Sequence, residues 1–264
     1  MKWVVENTGN AEALINRLTE KGKDALILRP FTYLADDFKL PSDDIIICHG
    51  SIGMSKHLNG QGFMFNEAQL RCSYYYPRYS QWLLVGDEYE IIKGKDLYSH
   101  KGELYRRYGV QETIFIKPDT NDKIFSGTLL EASRFDNEAR YIGLTFPKAD
   151  IVISRPWKIK DEWRFFIANG EIVAGSSYKI NGFCKQEKDY PREAACVAQY
   201  VFNTWTPHPM MVVDICSSGD EYCLLEIGSW NCAGYYACDL DKIIDAAEAI
   251  YKESQCQESF PKSK

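Results

Sequence analysis

Residues 221–236 read EYCLLEIGSWNCAGYY. The first half, Tyr222 to Ile227, has the apolar and aromatic content of a buried strand. Glu226 interrupts it near its end, and Asn231 follows in a turn of Gly, Ser and Asn. An ionised carboxylate is costly to bury without a partner. The identity of that partner therefore bears on what the chain does.

The strand before it has the same anomaly. Asp214 stands inside Met210-Met-Val-Val-Asp-Ile-Cys216, an otherwise apolar run. A three-residue loop at Ser217-Ser218-Gly219, with Gly219 left-handed, is expected to pair Cys216 with Asp220 and set Asp214 opposite Tyr222. Asp214 and Glu226 then share one face of the hairpin. Two carboxylates on one face repel unless a cation lies between them. Asn231 adds a neutral oxygen. Carboxylate, carboxylate and amide are hard ligands suited to Mg²⁺, which commonly completes its shell with phosphate oxygens and water. The alternative is that each acid bonds separately to backbone amides.

A second hairpin precedes this one. Asp161-Glu-Trp-Arg-Phe-Phe-Ile-Ala-Asn-Gly-Glu-Ile-Val-Ala-Gly-Ser-Ser-Tyr-Lys179 carries Asn169-Gly170, a strong two-residue turn signal. An uninterrupted ladder pairs Ala168 with Glu171, Arg164 with Gly175, and Glu162 with Ser177. Glu162, Arg164, Ser177 and Lys179 are then expected on one face, around an unobstructed Gly175. Trp163, Phe165, Ile167, Ile172 and Ala174 are expected on the other. Further upstream, Glu112-Thr-Ile-Phe-Ile-Lys-Pro-Asp119 alternates so that Thr113, Phe115 and Lys117 share a face opposite Ile114 and Ile116. Lys123 and Gly127 follow in a polar loop. A strand-end lysine, a loop lysine and a flexible loop suit a polyphosphate clamp, although two solvated surface lysines give the same pattern.

The first third reads as α/β. Lys2–Glu6, Asp24–Pro30 and Asp43–Gly53 contain short apolar strands, and Ala11, Leu14, Ile15 and Leu18 fall at helical spacing. Continuous apolar strands alternating with a helix predict a small parallel sheet. Cys48-His-Gly-Ser-Ile-Gly53 lacks a full phosphate-loop pattern and reads as a strand-to-loop turn, with His49 an edge residue. The aromatic stretch from Ala68 to Gly86 is expected to pack as core or interface. The boundary is placed at 95, giving an α/β domain over 1–95 and a second domain over 96–264.

With 264 residues and a net charge of −6, a broad nucleic-acid footprint is not expected. No apolar run is long enough to span a membrane, and the first residues lack a signal-peptide core. Nine cysteines without a CxxC pair read as reduced thiols. The expected location is cytoplasmic.

Taken together, IFIKPDTNDKIFSG (114–127), the 161–179 hairpin and VVDICSSGDEYCLLEIGSWNCAGYYACD (212–239) resemble the ATP-grasp superfamily. The resemblance spans roughly residues 96–245 and is greatest to the R2K-type members of bacteria and bacteriophages. It implies an N-terminal α/β domain followed by an ATP-grasp fold of two α+β subdomains. It implies an ATP- and Mg²⁺-dependent ligase that joins a small-molecule or peptide carboxylate to an amine through an acylphosphate, releasing ADP and phosphate. Lys117, Lys123, Glu162 and Lys101 would bind the nucleotide, and Asp214, Glu226 and Asn231 would hold Mg²⁺. Arg164 and Lys179 would serve catalysis. The common Glu-x-Asn ending would put Asn at 228, where this chain has Gly228, so the amide is assigned to Asn231. A phosphotransferase that stops after phosphorylation, and a non-catalytic nucleotide-binding regulator, are the alternatives.

Overall fold

The computed structural model describes residues 1–9, 11–64, 67–122 and 124–258, and side chains as far as residue 254. The first unit is the expected small parallel sheet. Strands β1 (Lys2–Glu6), β2 (Ala25–Leu28) and β3 (Ile46–His49) lie in the order β2-β1-β3. Helix α1 (Glu12–Glu20) follows β1, with Leu14 and Leu18 fully buried against Trp3, Val5 and Ile47. The Cys48–Gly53 segment leaves β3 and enters α2 (Ile52–His57), a short helix whose first turn is capped by the Ser51 hydroxyl. The aromatic stretch folds as α3 (Cys72–Tyr79). Its Tyr75, Tyr76 and Tyr79 are buried core residues.

The second unit is a four-stranded antiparallel sheet in the order β4-β7-β5-β6. It comprises β4 (Tyr89–Lys93), α4 (Lys101–Tyr108), β5 (Thr113–Pro118), β6 (Thr128–Glu131), α5 (Phe135–Thr145) and β7 (Asp150–Ser154). Ile114 and Ile116 pack under α4 and α5 with Leu104, Phe135 and Ile142. Strand β4 lies before the boundary expected at 95, yet it pairs with β7 along its length. Residues just before that boundary thus contribute to the second sheet.

The third unit is a five-stranded antiparallel sheet, order β10-β9-β8-β11-β12, from β8 (Asp161–Ala168), β9 (Glu171–Ile180), β10 (Phe183–Glu187), β11 (Met210–Ser218) and β12 (Glu221–Gly228). Helix α6 (Arg192–Thr204) joins β10 to β11 and covers one face, where Trp163, Phe165, Ile167, Met211, Val213 and Ile215 meet Ala194, Ala198 and Val201. Helix α7 (Leu240–Glu258) covers part of the other face and packs on the first unit as well. Its acids secure it there. Asp241 pairs with Arg17 and Lys21, and Glu248 accepts from Lys23 at 2.8 Å and from the Trp3 indole at 3.1 Å.

Both hairpins of this sheet depart from the expected register, through β-bulges that no Gly or Pro announces and, in β11–β12, through a different turn as well. In β8–β9, Ala168 does pair with Glu171 across the Asn169-Gly170 turn. Bulges at Val173 and Tyr178 then pair Phe166 with Ala174, Arg164 with Ser176, and Glu162 with Lys179. Ala174 moves to the α7 side. Gly175 moves to the opposite side from Arg164, where a Cβ would stand 2.7 Å from the Tyr190 ring, so it opens no approach for a ligand. In β11–β12 the strand continues through Ser218, which pairs with Glu221, and the turn is Gly219-Asp220 with Gly219 at φ +63°. Cys216 faces Cys223, not Asp220. A bulge at Leu225 then sets Asp214 directly opposite Glu226, not Tyr222.

Candidate active site

Those register shifts produce one row of side chains across the sheet. Arg164 on β8 is the direct partner of Asp214 on β11, which is the direct partner of Glu226 on β12. Direct partners in an antiparallel ladder project to the same side. All three line a single cleft of about 1080 Å³. The opposite wall comes from the four-stranded sheet, where Phe115 and Lys117 occupy the β5 face away from Ile114 and Ile116. Ser51–Gly53, Gly228, Ser229, Cys232–Gly234 and Tyr236 also line it, and Leu83, Leu84, Val85, Trp157 and Leu224 contribute apolar lining.

Glu226 has its partner across this cleft. The Lys117 ammonium lies 3.7 Å from Glu226 Oε2, too long for a hydrogen bond but within ion-pair range. Burial opposes the Lys117 charge. Tyr76, Cys72 and Glu226 outweigh it and hold its pKa above the ordinary lysine value. Lys117 is therefore a cation throughout the neutral range.

Asp214 is held more tightly. Arg164 donates from Nε to Oδ1 at 2.8 Å and from Nη2 to Oδ2 at 2.7 Å, a bidentate fork, and from Nη1 to the Gly234 carbonyl at 3.2 Å. Burial holds the Asp214 carboxyl above its ordinary value, against the pull of the guanidinium. Arg164 itself is raised, with burial opposed by Asp214. The bidentate geometry is that of an ion pair, and both side chains are buried, 14% and 3% exposed. Glu162 is likewise occupied, accepting from Lys179 Nζ and the Tyr178 hydroxyl at 2.7 Å each. The Tyr178 bulge places both donors within reach of one carboxylate.

The turn after β12 forms the floor of the cleft. Tyr235 is buried between Phe166 and His49, with ring centroids at 5.5 and 5.0 Å. His49 Nε2 lies 3.3 Å from the Ala233 carbonyl. Burial lowers its pKa to about 4, against the pull of that carbonyl and Glu6, so it is neutral at neutral pH. Tyr236 adopts φ +51°, rare for an aromatic residue, and its ring stacks on Tyr178 at 4.9 Å beside the Arg164 guanidinium. Arg164 on the Gly234 carbonyl and the Ser176 hydroxyl on the Ala237 N–H clamp the backbone on either side. Sequence reasoning missed Tyr178 and Tyr236, and the repeated tyrosine at 235–236 was the available signal.

Two expected ligands are not brought to the cleft. Asn231 is fully buried and turned toward the first unit. Its Oδ1 accepts from Met64 N at 2.9 Å, and its Nδ2 donates to the Cys48 carbonyl and to the Tyr251 hydroxyl. It ties the 229–234 turn to β3 and α7, so the assignment of a metal-ligating amide at 231 is corrected. Asn231→Ala would leave these groups unmatched, and a stability loss of about 3 kcal/mol is expected by denaturant unfolding. Lys101 lies on α4, where it pairs with Asp136 at 2.7 Å outside the cleft lining, so it too is displaced from the nucleotide-binding set. Lys123 lies outside the described residues.

The remaining acids can accommodate a Mg²⁺ ion. Among the described residues no three His, Cys, Asp or Glu side chains group to hold a metal. Asp214 and Glu226 nevertheless offer adjacent hard oxygens. Each Asp214 oxygen retains a lone pair beyond its bond to Arg164, and the Glu226 side chain is 41% exposed to the cleft. Mg²⁺ is commonly held by one or two carboxylates together with substrate phosphates.

Comparison with known proteins agrees with this architecture. The chain is similar in fold to the D-cycloserine synthetase DcsG (TM-score 0.69, 8% identity, covering 96% of this chain and 99% of that one). It is also similar to D-alanyl-alanine synthetase A from Vibrio cholerae O1 biovar eltor (TM-score 0.64, 9% identity, 96% and 98%). The ATP-grasp ligase PsnB, complexed with a minimal precursor, gives a TM-score of 0.59 at 11% identity, covering 94% and 98%. No curated protein sequence matches this one. No helix among the described residues is long and apolar enough to cross a membrane. The profile of the ATP-grasp domain, R2K clade family 2, matches residues 99–246, more than half of the chain, and the protein belongs to that family.

Proposed function

We propose that the protein is an ATP- and Mg²⁺-dependent carboxylate–amine ligase. The observation that carries this reading is the Arg164–Asp214–Glu226 row facing Lys117 across one cleft. Such a cleft gathers cationic and metal-binding groups where a transferred phosphoryl group needs them. In the first step a substrate carboxylate oxygen attacks the γ-phosphorus of ATP. The bond to the β–γ bridging oxygen breaks, leaving ADP and an acylphosphate. An amine then attacks the acyl carbon, the carbon–oxygen bond to phosphate breaks, and the amine loses a proton as the amide forms.

Lys117 holds the terminal phosphates in this reading, and Lys123 is assigned the same role from its place in the polar loop. Asp214 and Glu226 would hold Mg²⁺, which when bound neutralises phosphate charge. Arg164 orients Asp214 and the 234–236 turn, a narrower role than the direct contact with the phosphoryl group expected from sequence. Glu162 and Lys179 neutralise one another at the cleft edge and shape the space for nucleotide or acceptor. The proteins of similar fold are by their names a D-cycloserine synthetase, a D-alanyl-alanine synthetase and a ligase complexed with a minimal precursor, which supports a small or peptidic substrate pair.

The direct test is a screen of amino acids, small carboxylic acids and short peptides for ATP consumption, with mass spectrometry of the products. A new amide formed in step with ATP loss is expected. A phosphorylated product without dependence on an amine would make the protein a phosphotransferase instead. Nucleotide binding gives an independent check. Lys117→Ala is expected to weaken Mg·ATP affinity by about 1.5–3 kcal/mol, the usual loss for a charge-assisted contact, with folding intact. Equal affinities by calorimetry would remove Lys117 from the phosphate site.

A further inference from the structure

Opposite charges in the cleft meet in pairs. Arg164 pairs with Asp214, Lys179 with Glu162, and Lys117 with Glu226. The first two pairs are hydrogen-bonded at 2.7 Å. The third is looser. Lys117 Nζ stands 3.7 Å from Glu226 Oε2, and no hydrogen bond reaches the Glu226 carboxylate among the described residues. The partners also come from different walls, Lys117 from β5 and Glu226 from β12. Each has little else to balance its charge. The Lys117 side chain is only 17% exposed, and Cys72 and Tyr76 beside it are kept neutral by burial. Glu226 is the direct cross-strand partner of Asp214, so without Lys117 two carboxylates oppose one another with only Arg164 to balance them.

We infer that the Lys117–Glu226 pair couples the two halves of the site, so that nucleotide and metal ion each favour the binding of the other and each binds poorly alone. This rests on the reading that the cleft takes Mg·ATP, with Lys117 on phosphate and Glu226 on the metal. While the pair holds, each residue is occupied by the other. When Glu226 turns to a metal ion, Lys117 is left a largely buried cation without its counter-charge, and a phosphate restores the balance. When Lys117 turns to a phosphate, Glu226 is left facing Asp214, and a cation restores the balance. The coupling is reciprocal, as linkage requires.

The experiment measures each ligand without the other, on the full chain, in a double-mutant cycle. Mant-ATP is titrated by fluorescence in EDTA, and Mn²⁺, a paramagnetic stand-in for Mg²⁺, by electron paramagnetic resonance without nucleotide. Glu226→Gln is expected to tighten metal-free mant-ATP about fivefold, the upper range for an exposed ion pair, because it releases Lys117. In the Lys117→Met background the same substitution should gain at most about twofold, the share owed to lost repulsion of the phosphates. Lys117→Met is likewise expected to tighten Mn²⁺ about fivefold, and at most about twofold in the Glu226→Gln background. Lys117→Gln repeats the cycle with a polar side chain if the methionine disturbs folding. Equal gains in both backgrounds mean that the two charges act independently, and overturn the coupling. Weaker metal-free binding by Glu226→Gln overturns it as well. Either result leaves the proposed function standing if the wild type binds mant-ATP with Mg²⁺. A wild type that binds no mant-ATP even with Mg²⁺ overturns both.

Discussion

Glu226→Gln is expected to lower turnover by at least about 10²–10³-fold while the protein stays folded. The substitution keeps the shape of the side chain and removes one charge. The Glu226 side chain is 41% exposed and, among the described residues, its one ion-pair partner lies 3.7 Å away, so little of the fold depends on it. In the proposed mechanism that charge binds the metal that neutralises the transferred phosphoryl group. Circular dichroism and a thermal melt establish folding, and ATP consumption with the identified substrate pair measures turnover. A variant that retains wild-type turnover would remove Glu226 from the site.

The second large effect is on stability. Asp214→Ala is expected to destabilise the protein by about 3–5 kcal/mol, because it leaves the Arg164 guanidinium buried without its counter-charge. Arg164→Lys is expected to lose both folding free energy and turnover, since an ammonium cannot reproduce the planar fork. Replacing both members by apolar residues, as in Arg164→Met/Asp214→Leu, should recover much of the stability and none of the activity. Urea unfolding resolves these outcomes. If the double variant were no more stable than Asp214→Ala, the cost would lie in packing and not in an unpaired charge.

The legibility of this fold from sequence follows its regularity. Strand β5 has no bulge, so simple alternation correctly placed Phe115 and Lys117 opposite Ile114 and Ile116. The parallel first sheet was legible because its strands are short apolar runs around one helix. Of the two tight hairpins in the five-stranded sheet, β8–β9 was legible near its turn, and the β11–β12 turn was misread. Bulges at Val173, Tyr178 and Leu225 shift the ladder, and each falls on a residue with ordinary strand preference. The shared face of Asp214 and Glu226 was still expected. The misread turn and the missed bulge compensated, since each changes the register by one or more residues. Asn231 was misplaced because a short 3₁₀ turn over Trp230–Cys232 rotates it away from the strand that carries Glu226. Lys101 was misplaced because helical spacing gives a face and not the neighbour across it, here Asp136.

In the proposed reaction carboxylate activation passes through an acylphosphate, with charge gathered at the terminal phosphates. Chromatography of the nucleotides formed during turnover of an identified substrate pair distinguishes this route from adenylation. ADP and phosphate released in equal amounts with the ligated product, and only in the presence of Mg²⁺, is the predicted result. AMP accumulating in step with product would contradict it, even with the ATP-grasp fold unchanged.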